Sequence, residues 1–311
     1  MSKIVIHNNK PKILVILGPT ASGKTSLATK LALELHGEII SADSRQVYRG
    51  LDIGTGKDLK EYIVKGKKIS YHLIDVAEPS EEFNLARYQK LAIKAIKEIL
   101  SRGHLPIIVG GTGLYLQAIV DGYQLSPYTP DLRRRQEFEA MTVLELYSLL
   151  EKEKPDFAHK LNNSDKNNPR RLIRYLEISS QGEIKEAPKK AMPYDFLILG
   201  LRQDDEEMRA RIVKRIKDRL DNEDMVGEVD RLIDNGLSLA RLNSFGLEYR
   251  YISWYLQDKM EYDEMIEKLG LASYRFAKRQ KTWFKRWEKQ GRVINWVEDL
   301  KEAKKLIKNW L

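Results

Sequence analysis

The chain has 311 residues, 42% of them hydrophobic and 32% charged, with a formal net charge of +9. That balance suits a soluble globular protein with room for one large domain or two smaller ones, and it excludes a disordered chain. With no cysteine there is no disulfide and no thiolate metal site. No apolar run approaches the roughly 20 residues of a membrane span, and MSKIVIHNNKPK lacks the apolar stretch of a signal peptide, so a cytoplasmic protein is expected.

In chain order, KILVILG predicts a buried strand, and residues 23 to 35 a helix with Leu27, Leu31 and Leu35 at helical spacing. GEIISAD predicts a second strand ending in Asp43, and KKISYHLIDV a third ending near Asp75. Asn84 is placed to cap the amphipathic helix LARYQKLAIKAIKEILSRG, which Gly103 closes. LPIIVGGTGLYLQAIV reads as a fourth strand, a glycine turn and another helix. Such alternation implies an α/β fold, a parallel sheet with helices on both faces. After Gly122 the texture changes to charge-rich helical sequence, broken by Pro155 and NNSDKNNP. The strand PYDFLILGL (193–201) returns to the sheet, and everything after residue 203 reads as helical. The expected organisation is a first core part over 1–125, a helical insertion over 126–168, and a segment over 169–311 that completes the core and carries basic helices.

The segment Gly18-Pro19-Thr20-Ala21-Ser22-Gly23-Lys24-Thr25 lies between the first strand and first helix. Its glycines let the backbone fold around an anion, with N–H groups and the positive helix end aimed at phosphates. Lys24 adds charge, and the Thr25 hydroxyl suits Mg²⁺. The pattern is specific for a di- or triphosphate and leaves a kinase, an ATPase or a transferase that expels diphosphate all open. Ligands of such a sheet bind at the carboxyl ends of the strands. Asp43 stands at one of them, suited to ligate a metal or take a proton from a nucleophile, or simply to cap its own turn. Asp75 holds the position of a second metal-side acid, or of a cap on the loop that follows it. In GGTG (110–113) the glycines permit close approach and Thr112 offers a hydroxyl.

LASYRFAKRQKTWFKRW (271–287) has six basic residues and no acid. At helical spacing Leu269, Ala272, Phe276, Trp283 and Trp287 form an apolar stripe about 80° wide, the expected core face. Arg275, Arg279 and Arg286 form a second stripe at its edge, suited to ordered phosphate contacts. Lys278, Lys281 and Lys285 form a third, read as a solvated face. A second basic knot is Lys166, Arg170, Arg171 and Arg174. Two basic clusters around a phosphate site suit a macromolecular polyanion better than a metabolite.

GPTASGKT, ISADSRQVYRGLDIGTGK, YHLIDVAEPSEEF, PIIVGGTGLYL, NPRRLIRYLEI and AKRQKTWF occur in one order from residue 13 to about 287, and with them the chain resembles the bacterial tRNA dimethylallyltransferases of the IPP transferase family. The resemblance implies a P-loop NTPase-like core and transfer of a dimethylallyl group from dimethylallyl diphosphate to N6 of adenosine 37 in the tRNA anticodon stem-loop, with Mg²⁺ as cofactor. It implies that residues 18–25 hold the diphosphate, that Asp43 takes the N6 proton, and that Thr112 and Arg219 steady the bridging oxygen. It assigns tRNA contacts to Asp43, Ser44, Arg45, Gln46, Gly113, Arg170, Arg171, Leu172, Ile173 and Arg174, and to the region NSFGLEYR. Arg275 and Arg279 join them from the arginine stripe. A monomer is expected. Prenylation of free adenine nucleotide, a small-molecule kinase and a non-catalytic RNA-binding module are the alternatives. The insertion and arginine stripe weigh against the first two, and intact Lys24, Thr25 and Asp43 against the third.

Overall fold

A computed structural model describes residues 10–125, 131–180, 182, 184 and 188–311. The chain divides into two compact units, one up to Gly122 and again from Ala191, the other Tyr123–Lys190. The first unit begins with β1 (Lys12–Leu17), α1 (Lys24–Leu35) and β2 (Gly37–Ser41). A 3-10 turn (Leu59–Tyr62), the hairpin of β3 (Ile63–Val64) and β4 (Lys67–Lys68), and β5 (Tyr71–His72) follow. Then come α2 (Leu85–Ser101), β6 (Leu105–Gly110) and α3 (Gly113–Val120).

The second unit contains α4 (Leu132–Glu139), α5 (Val143–Glu153), α6 (Pro155–Lys160), α7 (Asn163–Lys166) and α8 (Pro169–Ser179). Phe138, Leu146, Leu150, Ala158, Leu172, Ile173 and Leu176 form its own core. Thr142 and Glu145 close a reciprocal capping box at the start of α5. Pro155 breaks the helical run as expected, with α5 ending at Glu153, and it opens α6 in the first turn, where a missing N–H costs nothing.

The first unit resumes with β7 (Asp195–Leu201), α9 (Asp205–Asn222), α10 (Met225–Asp234), α11 (Leu239–Phe245), α12 (Leu247–Tyr255), α13 (Tyr262–Lys289), β8 (Asn295–Val297) and α14 (Leu300–Trp310). Among the described residues the main sheet has the order β5-β2-β6-β1-β7-β8, parallel throughout. Strand β1 is apolar at successive positions because both its faces are covered. Ile13, Val15 and Leu17 join the core that holds residues of α2, α3 and α13, while Leu14 and Ile16 join that of α1 and α14. Each such burial is worth about 1.5–3 kcal/mol. Helix α2 starts where the Asn84 side chain accepts from Arg87 N, and Gly103 follows it at φ 74°, as the sequence signals indicated.

The structure departs from the sequence expectations at three places. The third strand is only Tyr71–His72, because Leu73 and Asp75 take left-handed conformations that turn the chain away from β2. The region after residue 203 is not wholly helical, since Asn295–Val297 pairs with β7, a run too short to signal itself. The helical unit reaches Lys190, so α8 and its arginines, expected in the core segment from 169, pack with α5 instead.

Candidate active site

The loop after β1 makes one wall of a cavity of about 310 Å³ at the carboxyl ends of the strands. Gly23, at φ 80°, stands immediately before α1, and Ala21 is also left-handed at φ 61°. Such alternation turns successive amides to one side, the arrangement that suits an anion. Thr20, Ala21, Gly23, Lys24 and Thr25 line the cavity. The Lys24 ammonium is pushed below the usual lysine range by burial, and the negative charge of Asp43 opposes that shift. A buried cation facing an acid is poised for an anionic ligand.

The opposite wall is the segment after β2. Asp43, Ser44, Arg45 and Gln46 all line the cavity. Asp43 Oδ1 accepts from Arg45 N at 3.0 Å, so the carboxylate caps its own turn and faces the cavity at once. Ser44 N donates to Thr112 Oγ1 at 3.1 Å, tying this segment to the turn after β6. The Arg45 guanidinium lies 3.8 Å from the buried Glu248 and 5.5 Å from the centre of the Phe276 ring. Gln46 accepts from Ser41 Oγ and donates to the Gly56 carbonyl, both at 2.9 Å.

Several lining residues were missed from the sequence. Arg211 and Arg215 reach the cavity from α9, and Arg215 Nη2 donates to Thr20 Oγ1. Burial, with Arg219 nearby, lowers the Arg215 pKa to about 10, so it stays charged at neutral pH. Arg219, expected at the diphosphate, is 3% exposed and pairs with Asp58 through Nη2 at 3.0 and 3.1 Å. It is Asp58, not Arg219, that lines the cavity. The i, i+4 repeat of Arg211, Arg215 and Arg219 was the available signal, since it puts all three on one face. Glu61 also lines the cavity, and burial, with Asp58 nearby, pushes its carboxyl pKa up. Leu247 and Phe276 give the cavity apolar wall, with Ser273 and Gln280 beside them.

Helix α13 is rotated from the expected register. The buried line runs through Leu269, Ser273, Ala277, Gln280, Phe284 and Trp287, whereas Phe276 and Trp283 are half exposed. Arg275, Arg279 and Arg286 are exposed as expected, Arg279 over Phe276 and Arg286 over Trp283. Lys281 is not merely solvated, since it pairs with Asp205 at 2.5 Å.

Asp75 and Gly113, also singled out from the sequence, do not line the cavity. Asp75 binds Lys57 Nζ at 2.5 Å, and that lysine, 1% exposed, also holds Asp52 and the Tyr48 carbonyl. Asp75 thus neutralises a buried ammonium. Gly113 is buried, and a Cβ there would lie 2.2 Å from Trp283 Cδ1, so it serves the packing of α3 on α13. In the second unit Leu172 and Ile173 are core residues, while Arg170 and Arg171 on the same helix are exposed. Arg171 pairs with Asp165, and Arg174 lies 3.4 Å from Glu177.

Among the described residues no group of three or more His, Asp or Glu side chains is disposed to hold a metal by itself. Thr25 with phosphate oxygens and water nevertheless fits Mg²⁺, which typically takes few protein ligands beside a polyphosphate.

A family model described as IPP transferase matches residues 46–287. The chain is 45% identical over 286 residues to tRNA dimethylallyltransferase 1 of Syntrophus aciditrophicus, covering 92% of this chain and 93% of that one. It is 46% identical to tRNA dimethylallyltransferase 2 of Citrifermentans bemidjiense, over 93% and 91% of the two chains. The full-length tRNA isopentenylpyrophosphate transferase from Bacillus halodurans superposes with a TM-score of 0.68 at 35% identity, over 97% of this chain and 95% of that one. A eukaryotic dimethylallyltransferase seen in crystallographic snapshots acting on tRNA superposes at 0.72 with 26% identity, over 94% and 75%. With the family model spanning most of the chain and relatives of this identity matched nearly end to end, the chain belongs to the IPP transferase family.

Proposed function

We propose that the protein transfers a dimethylallyl group from dimethylallyl diphosphate to N6 of adenosine 37 in tRNA. The observation that carries this reading is a single cavity shared by Lys24 and Thr25, by Asp43, and by the apolar Leu247 and Phe276. Such a cavity can hold a diphosphate, an acidic proton and an apolar group together. The amides of residues 21–25, with Lys24 and Arg215, grip the diphosphate. N6 attacks the allylic carbon as the C–O bond to diphosphate breaks, and the N6 proton passes to Asp43. One carboxylate suffices as base, because an exocyclic amine becomes acidic only as its new bond forms. Arg219 acts through Asp58 at the cavity wall, and Thr112 through Ser44. Thr25 would hold Mg²⁺, which when bound would supply positive charge to offset that of the departing diphosphate.

The tRNA enters by its anticodon stem-loop, and the target base leaves its stack to reach the cavity. Ser44, Arg45 and Gln46 meet that nucleotide's surroundings. Arg275 and Arg279, and in the second unit Arg170, Arg171 and Arg174, take the backbone phosphates. No helix among the described residues is long and apolar enough to cross a membrane. The reading takes the enzyme as a cytoplasmic monomer, working where mature tRNA is. Incubation with labelled dimethylallyl diphosphate and either tRNA or AMP tests it. Label in tRNA is expected, whereas label in AMP alone, or in neither, refutes it.

A further inference from the structure

Gln280 is a buried, uncharged residue in a run of lysine and arginine. Both polar atoms of its carboxamide are committed to backbone groups of other elements. Oε1 accepts from Thr20 N at 2.9 Å, and Nε2 donates to the Gly111 carbonyl at 2.9 Å. The amide orientation follows from chemistry, since the N–H requires an acceptor and the carbonyl a donor. The approach is close, since a Cβ on Gly111 would lie 2.2 Å from Nε2 and would displace the carboxamide from its place.

The two partners belong to the two halves of the reaction. Thr20 is in the phosphate loop, and its hydroxyl is held by Arg215. Gly111 precedes Thr112, whose hydroxyl accepts from Ser44 N, one residue past Asp43. Hydrogen bonds therefore run from the diphosphate grip, through one carboxamide, to the loop of the base. We infer that Gln280 is a positioning residue for prenyl transfer, setting the spacing between the loop that holds the leaving diphosphate and the loop that carries Asp43. The inference rests on the reaction proposed above. Displacement at carbon needs nucleophile and leaving group aligned, and a shift of about 1 Å can cost about 100-fold in rate.

Two variants test this by single-turnover transfer to tRNA, with the native enzyme in parallel. Gln280→Met keeps the volume and removes both hydrogen bonds. Its rate is expected to fall about tenfold or more, with tRNA Kd and donor KM within about threefold of native. Gln280→Glu, when protonated, presents a C=O and an O–H in place of the carboxamide. Its rate relative to native is therefore expected to rise as pH falls from about 8 to about 6, as the protonated fraction of the glutamic acid grows. A packing role alone leaves that ratio flat. A Gln280→Met rate within about threefold of native, or a loss matched by an equal loss of tRNA or donor affinity, overturns the inference. So does a flat ratio for Gln280→Glu, and that measurement decides alone if the methionine variant does not fold. Absence of transfer by the native enzyme refutes the proposed reaction instead.

Discussion

Replacing Asp43 by Asn isolates its basicity from its structural part. The carboxylate does two things, accepting from Arg45 N at 3.0 Å and facing the cavity. An asparagine oxygen still accepts that hydrogen bond, so the turn and the neighbouring Ser44–Thr112 tie survive. Only the proton acceptor is lost, and general-base catalysis is worth about 10²–10⁴ in rate. Asp43→Asn is thus expected to slow single-turnover transfer by about 10²–10⁴ while tRNA Kd stays within about threefold. Asp43→Ala also loses the turn hydrogen bond, worth about 1 kcal/mol, and is expected to be slower again by about fivefold. The assay is quenched transfer of labelled prenyl group to tRNA, with binding followed by fluorescence polarisation. An Asn variant within about tenfold of the native rate, or one whose tRNA affinity falls in step with its rate, would refute the assignment of the base.

Arg215→Leu removes a buried charge and the hydrogen bond to Thr20, so kcat/KM for the donor is expected to fall about 10- to 100-fold; an unchanged value rules out a diphosphate contact. Arg275→Ala with Arg279→Ala is expected to weaken tRNA binding and flatten the plot of log Kd against log salt by about 1.5 units, which a salt titration reads directly. The Glu38 carboxylate, 5% exposed, is held by Arg102, His72 and His104, and these hydrogen bonds outweigh burial to bring its pKa down to about 2. Because the folded value lies below the ordinary 4.5, this group stabilises the fold above pH 4.5, and the contribution drains away as pH falls toward 2. Discounted for the half-exposed Arg102 and His104, that contribution is about 2 kcal/mol. Urea unfolding of native and Glu38→Gln protein should therefore differ at neutral pH and converge in strong acid, and a gap that persists there contradicts the linkage.

The phosphate loop was legible because its ligands are contiguous backbone: a strand, two glycines and a helix start suffice, and residues 18–25 carry all of them. Strand β1 was legible for a similar reason, since burial on both faces leaves an unbroken apolar run. Asp43 could be placed because a strand end next to a phosphate loop is fixed by the topology of a parallel sheet. On α9 the sequence singled out Arg219, whereas Arg215 is the one that lines the cavity, because helical spacing puts both on one face and leaves the choice to the partner each meets. Arg215 finds Thr20, and Arg219 finds Asp58. The register of α13 was misjudged because hydrophobicity favoured Phe276 for the core. Two backbone groups from Thr20 and Gly111 instead require a carboxamide, which turns Gln280 inward and leaves Phe276 on the cavity wall. The sequence by itself thus determined the central parallel strands, the glycine loop after β1 and the family, but not the edge strand β8. Tertiary structure alone decided which side chains from α9 and α13 complete the site, because their partners lie about 160 to 260 residues away along the chain and a hydrogen bond at that separation leaves no periodic trace.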